Sequence, residues 1–346
     1  MAVEDARRAI AAIADSVVPA AHERAAAVRA RLELDLAPAG AAPASVELAA
    51  RLAAAQHLSS PRLEQACVLV CAADHGLAGE SARAPLRRLT QGHGPLMTAM
   101  RMAGEATRTS LALVDCGLRP PVSATADPDP SAPDPDGVIE LGLGAGTADI
   151  RVAAAMSPAQ AAAAVHTGIA LLLSLAEGGL DVLALGQVAP AAVPGARAVS
   201  GAVVAALIDA GPGLDELDRD DRAAVAAALE RHRPDPDDPL AVLAALGGFD
   251  LGVLAGAMLA AASIRVPIVL DDHGTAAAAV LAARWQPALP GYLCAAHAGT
   301  ARAHRLALRA LGLTPLFDQA VAHGDGAGAA LALAPLAEAA RLVRGL

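Results

Sequence analysis

Apolar residues fall along this chain in two kinds of run. Alanine- and arginine-rich stretches with apolar spacing near 3.6 predict helices over Asp5–Ala14, Ala20–Leu34 and Val46–His57, broken by the Pro/Gly stretch Leu36–Ser45. Beyond residue 60 the pattern changes. Short, β-branched apolar runs at Ala66–Ala73, Ser110–Cys116, Asp181–Gly186, Val266–Leu270 and Gly291–Ala296 alternate with helical stretches. Near-continuous apolar strands separated by helices predict a parallel sheet covered on both faces. Ser157, Pro158 and Gln160 supply an N-cap, a proline at the first helical position and a capping-box partner, so a helix starts there and runs to about Ala176. The acidic, proline-rich segments Asp127–Gly137 and Arg233–Pro239 read as surface loops. There is no internal repeat.

Composition narrows the field of functions. The 346 residues suit about two domains, or one large α/β domain with an appendage. With 55% hydrophobic and 18% charged residues, the chain is not disordered. Aromatics at 1% leave no platform for stacking nucleobases, and a net charge of −10 disfavours a phosphate-backbone partner. All 26 basic residues are arginine, which excludes both a lysine Schiff base and a P-loop lysine. Cys67, Cys71, Cys116 and Cys294 show no C-x-x-C spacing and read as buried small hydrophobes. The N-terminus has no signal-peptide core, and the uncharged run Val152–Ala176 is too alanine-rich for a membrane span. The expectation is a cytoplasmic protein with neither nucleic-acid nor membrane partners.

In an open α/β sheet, ligands bind beyond the carboxyl ends of the strands. Those ends read Asp74-His75-Gly76, then Asp115 and Gly117, then Gly186-Gln187, then Asp271-Asp272-His273-Gly274, and finally His297. The His and Asp pairs suit metal coordination, or else loop hydrogen bonds and helix caps. No G-x-S-x-G elbow is present. The segment Leu141–Asp149 carries Gly142, Gly144, Gly146 and Thr147, with no convincing strand before it. Ala210–Glu216 is a second glycine turn, holding Gly211 and Gly213. Near the end, Asp325 sits between Gly324 and Gly326 just before an apolar helix, as a base on a loop that ligands can approach or as an ordinary N-cap.

The order of these pieces resembles the nicotinate-nucleotide:dimethylbenzimidazole phosphoribosyltransferases of cobalamin lower-ligand synthesis. Ala73–Ala82 (ADHGLAGESA) is similar to that family's A-D-H-G-V…G-V-S-A-Y, and Val114–Gly117 to V-D-V-G. LGLGAGTAD with AAAMSPAQA matches G-x-G-T…A-M-x-x-x-Q-A, and GPGLDE matches G-T-G-L-D-D with Arg222 near the family's lysine. Gly247–Asp272 matches G-G-x-E/D-I-A…P-V-L-L-D-G, and Ala295–His304 matches S-H-x-S-A-E-P-G-H. His323–Leu333 matches L-G-E-G-T-G-A-A-L-A-L. The similarity runs from about Val46 to the end.

The resemblance implies a doubly wound, mostly parallel α/β sheet with helices on both faces, plus a small helical domain from the two termini. On that basis residues 1–60 and 321–346 form the small domain and 61–320 the α/β domain, in a homodimer. The implied reaction moves phosphoribose from nicotinate mononucleotide to a benzimidazole or related azole, giving α-ribazole phosphate, with no metal and no cofactor. Asp325 stands in the place of the catalytic glutamate. Asp74, Ser81, Gly144, Gly146, Thr147, Gln187, Gly211, Gly213, Arg222, Asp271, His297, Gly324 and Gly326 are the implied substrate-binding positions.

Departures from the family pattern fall on catalytic parts. The phosphate loop G-E-M-G-I-G-N-T-T is GQVAPAAVPG here, with Gln187 in the glutamate position and Pro190 and Pro194 removing N–H donors. Two readings follow. One is an active transferase whose phosphate is gripped by Arg83, Arg222 or another arginine. The other is a catalytically impaired paralogue serving as a small-molecule-binding or regulatory subunit, in a heteromer.

Overall fold

A computed structural model describes residues 3–36, 43–77, 81–121, 137–188, 194–208, 217–318 and 324–345. Three helices come first: α1 (Val3–Ser16), α2 (His22–Leu36) and α3 (Pro43–Gln56). Strand β1 (Gln65–Ala73) leads through α4 (Arg83–Thr90) and α5 (Pro95–Ala106) to β2 (Arg108–Gly117) and β3 (Val138–Glu140). Helix α6 (Pro158–Ala176) precedes β4 (Val182–Val188). Four helices follow it: α7 (Pro194–Leu207), α8 (Arg219–His232), α9 (Pro239–Leu246) and α10 (Phe249–Ser263). The chain closes with β5 (Ile268–Leu270), α11 (His273–Trp285), a 3-10 turn (Leu289–Tyr292), β6 (Leu293–Ala295), α12 (Arg302–Ala310) and α13 (Ala327–Arg344).

The six strands pair in parallel in the order β3-β2-β1-β4-β5-β6. The order reverses between β1 and β4, and in such a sheet the crevice opens beyond the carboxyl ends of the strands at that switch. Five of the strands lie on the apolar runs read from the sequence. Strand β3 does not: it is three residues long, at the sheet edge, and mostly exposed, so it leaves no periodic signal. It is the short strand that precedes the glycine segment Leu141–Asp149, in keeping with the reading that no strand of convincing length stands there.

Apolar burial on both faces explains the continuous strand pattern. On one face α13 lies across β1, β4 and β5, beside α5 and α3. On the other, α10 crosses β1, β2, β4 and β5, with α11 beside it and α6 and α1 outside it. Every residue of α10 from Phe249 to Ala262 is buried, which is why that helix is apolar all round. A methyl group on Gly168 of α6 would lie 2.1 Å from the Val253 carbonyl oxygen, and one on Gly256 of α10 would lie 2.0 Å from that of Val165. The two helices therefore cross backbone to backbone. Helix α6 is long and apolar enough to cross a membrane, yet here one face of it packs on α10.

The capping box at the start of α6 is formed as read. Gln160 N–H donates to Ser157 Oγ at 3.2 Å and Ser157 N–H to Gln160 Oε1 at 3.1 Å. Most of the acidic stretch Asp127–Gly137 lies outside the described residues, as do Pro190, Gly211, Gly213 and His323.

Candidate active site

Apart from Arg222 and the undescribed Gly211 and Gly213, the candidate residues gather in two clusters, joined by a buried chain of hydrogen bonds. In the first cluster, at the ends of β1 and β2, Asp74 is wholly engaged. Its carboxylate accepts from Ser81 Oγ at 2.8 Å, Ala82 N–H at 2.8 Å and Arg119 N–H at 2.7 Å. Its carbonyl accepts the N–H of Thr147 at 2.9 Å. Asp115 folds back onto the N–H groups of Gly117 and Leu118. Gly144 packs under Phe249, and Gly146 turns with φ 72 beside Arg119. Thr147 is buried at the same turn. Asp74 and Ser81 therefore hold a loop-to-loop junction that includes the Thr147 turn.

The second cluster lies at the ends of β4, β5 and β6 and is entered by Gly324-Asp325-Gly326. All three residues have left-handed backbone, with φ 61, 55 and 93, a conformation that glycine adopts freely and aspartate tolerates. A Cβ on Gly186 of β4 would lie 2.5 Å from the Gly326 Cα, so strand and loop touch through their backbones. Asp325 N–H donates to the Gln187 carbonyl at 3.2 Å.

Asp325 does not cap α13. That cap comes from Asp271, at the end of β5, whose two carboxylate oxygens accept the N–H groups of Gly326 (2.9 Å) and Ala329 (3.0 Å). Asp325 Oδ1 is buried and has no hydrogen-bond partner among the described residues. Burial, and then repulsion from Asp271 and Asp272, push the Asp325 carboxyl up to about 7. Asp272 caps α11 through the N–H of Gly274 at 3.3 Å. Its carboxyl is also pushed up to about 7, by burial and then by Asp271.

His297 Nδ1 accepts the N–H of Gly299 at 3.0 Å, so Nε2 carries the proton and faces Asp271 Oδ1 at 3.5 Å, too far for a good hydrogen bond. Gly328 makes room for both side chains, since a Cβ there would lie 2.4 Å from the His297 ring. His273 bonds Ser200 through Nδ1 at 3.1 Å. Burial, and then Arg197, push its imidazole down to about 4.

Between the clusters runs His75–Asp250–Gln187. Asp250, buried in the first turn of α10, lies 3.1 Å from His75 Nε2 and accepts from Gln187 Nε2 at 2.6 Å. Burial alone would lower the His75 imidazole and raise the Asp250 carboxyl; their mutual attraction outweighs it, and each ends on the charged side of its ordinary value. Sequence reasoning did not single out Asp250, although a lone carboxylate opening a 15-residue apolar helix was a visible signal.

The arginines expected to grip phosphate are engaged elsewhere. Arg83 donates to the carbonyls of Pro120 (3.0 Å) and Pro121 (2.8 Å), and Arg222 to that of Leu217 (3.0 Å). Arg197, in the first turn of α7, pairs with Asp221 at 2.5 Å. A cavity of about 270 Å³ opens among α2, α3 and the starts of β5 and β6, and none of the candidate residues lines it. Among the described residues no three His, Cys, Asp or Glu side chains are disposed to hold a metal ion. Chemically, the second cluster offers a carboxyl whose proton affinity lies near neutrality, on a glycine-flanked loop packed against the end of β4.

Comparison with known proteins gives the family and the fold. A family model described as phosphoribosyltransferase matches residues 17–346. The nicotinate-nucleotide–dimethylbenzimidazole phosphoribosyltransferase of Roseiflexus sp. (strain RS-1) is 35% identical over 324 residues, covering 89% of this chain and 87% of its own. The protein of that name from Salinispora tropica is 36% identical over 349 residues, covering 93% and 92%. The crystal structure of the Thermus thermophilus protein of that name superimposes with a TM-score of 0.76 at 30% identity, covering 92% of this chain and 95% of that one.

Proposed function

The chain belongs to the nicotinate-nucleotide:dimethylbenzimidazole phosphoribosyltransferase family, and from that premise we propose that it transfers phosphoribose from nicotinate mononucleotide to dimethylbenzimidazole or a related azole. The unprotonated azole nitrogen attacks C1′ of the ribose. The bond from C1′ to nicotinate breaks, and its electron pair stays on the pyridine nitrogen. The azole's other nitrogen, acidified by the new bond, gives its proton to Asp325. A carboxyl with proton affinity near the working pH suits that task far better than an ordinary aspartate.

The observation that carries this reading is the state of Asp325: raised to about 7, with Oδ1 unpartnered, in a left-handed glycine frame at the carboxyl ends of β4 and β5. A subunit that only bound a small molecule would have no need of a carboxyl tuned in this way. In this reading Gly324, Gly326, Gln187 and Asp271 hold the base in place, while His297, Ser81, Thr147, Gly144 and Gly146 are proposed to contact substrate. The cytoplasm and a homodimer belong to the same reading; four buried free thiols suit a reducing compartment. The test is nicotinate release from nicotinate mononucleotide by the purified protein with dimethylbenzimidazole. Release that requires the azole and disappears in Asp325→Ala supports the assignment; release that survives the substitution moves the base elsewhere.

A further inference from the structure

Asp272 has no role yet beyond capping α11, a task that asparagine performs equally well. Its surroundings suggest more. A Cβ built on Gly324 would lie 2.8 Å from Asp272 Oδ2, so one carboxylate oxygen rests against the backbone of the residue preceding the base. The Asp272 side chain is 14% exposed, and only Oδ1 is taken by the helix cap. In the motif P-V-L-L-D-G the position of Asp272 is glycine, while the glutamate of G-E-M-G is Gln187 here. Asp272 thus stands just beyond β5, beside the loop that carries Asp325.

We infer that Asp272 is a positioning residue for the reaction, an electrostatic partner that keeps Asp325 basic and shares with it the proton released by the azole. The inference rests on the reading of Asp325 as the base. Near neutral pH the two carboxyls cannot both ionise freely, because Asp271, committed to the N-terminus of α13, already repels each of them. The pair is therefore partly protonated when the substrates arrive. The proton leaving the azole nitrogen goes to ionised Asp325, and water removes it once product has left. No redox partner enters the balance.

The other charged groups around the pair set limits on this behaviour. His297 lies 3.5 Å from Asp271 and favours the ionised form of Asp272. His273 Nε2 is 3.9 Å from Asp272 Oδ2, but its imidazole, at about 4, is neutral through the relevant range. Arg197 and Asp221 face His273 and pair with each other, and the His75–Asp250 pair closes the inner side.

The test compares wild type with Asp272→Asn, which keeps the α11 cap and removes only the charge. The acid-limb midpoint of the kcat/KM profile for nicotinate release is expected to move below its wild-type position near 7. The plateau rate is expected to fall as Asp325 becomes a weaker base. A midpoint that stays where wild type has it overturns the inference. A second measurement does not depend on turnover: carbon-13 titration of the aspartate carboxyls in the resting protein. Asp325 is expected to titrate in two coupled steps in wild type and in one lower step in Asp272→Asn; an identical Asp325 titration in the two proteins also overturns it. Should wild type release no nicotinate while the coupled titration is present, the proposed reaction fails and the coupled pair stands.

Discussion

Replacing Asp325 with asparagine is expected to move activity and stability in opposite directions. Asparagine has the same shape, tolerates the left-handed backbone at φ 55 and cannot ionise. Burial and the neighbouring carboxylates raise the Asp325 carboxyl from 3.8 to about 7. At about 1.36 kcal/mol per pH unit, holding it ionised above pH 7 costs the fold roughly 4 kcal/mol. The side chain is only partly buried and its repelling neighbours can relax or bind protons, so about 2 kcal/mol is the better expectation. The sign follows from linkage. The folded-state value lies above the unfolded one, so the cost is absent below about pH 4, grows as the pH rises and is complete above about pH 7.

Asp325→Asn is thus expected to match wild type in stability near pH 4 and to exceed it at pH 8 by about 2 kcal/mol, a few degrees in Tm. Nicotinate release should fall by about 10²- to 10⁴-fold through loss of the base. Thermal denaturation of both proteins from pH 4 to 8, beside the release assay, measures both effects. A variant no more stable than wild type at pH 8 would refute the electrostatic account of this carboxyl, and a fully active variant would refute its role as base.

Gly186→Ala places a methyl 2.5 Å from the backbone of Gly326, which no side-chain rotation relieves. About 1–3 kcal/mol of stability should be lost, and displacement of Asp325 by about 1 Å should cost on the order of 100-fold in kcat/KM; urea denaturation and the release assay check the two separately. Asp74→Ala strands two backbone N–H groups and the Ser81 hydroxyl, and chemical denaturation should show a loss of about 2–3 kcal/mol. A loss under about 1 kcal/mol would mean that water replaces those bonds. Cys67, Cys71, Cys116 and Cys294 are all buried, so a thiol reagent at pH 8 should label the native protein only at its unfolding rate. Rapid labelling of any one of them would contradict its burial.

Much of this architecture is written locally. The apolar runs that became β1, β2, β4, β5 and β6 reveal themselves because a strand buried on both faces has no polar positions, a property of a few adjacent residues. The Ser157–Gln160 capping box and the glycines flanking Asp325 are equally local, and the order of motifs identified the family without any coordinates. Strand β3 escaped because three partly exposed residues carry no period. What the sequence could not decide was partnership. Asp271 caps a helix that begins more than fifty residues later, so the aspartate that looked like the cap, Asp325, was left with an unpartnered oxygen. The His75–Asp250–Gln187 chain joins three separate elements, and Gly186 matters because Gly326 touches it. The basicity of Asp325 arises in the same way. Residue type fixes a carboxyl's ordinary proton affinity, but burial and the distance to other carboxylates set the actual one, and those quantities exist only once β5, α11 and the final loop have been folded together.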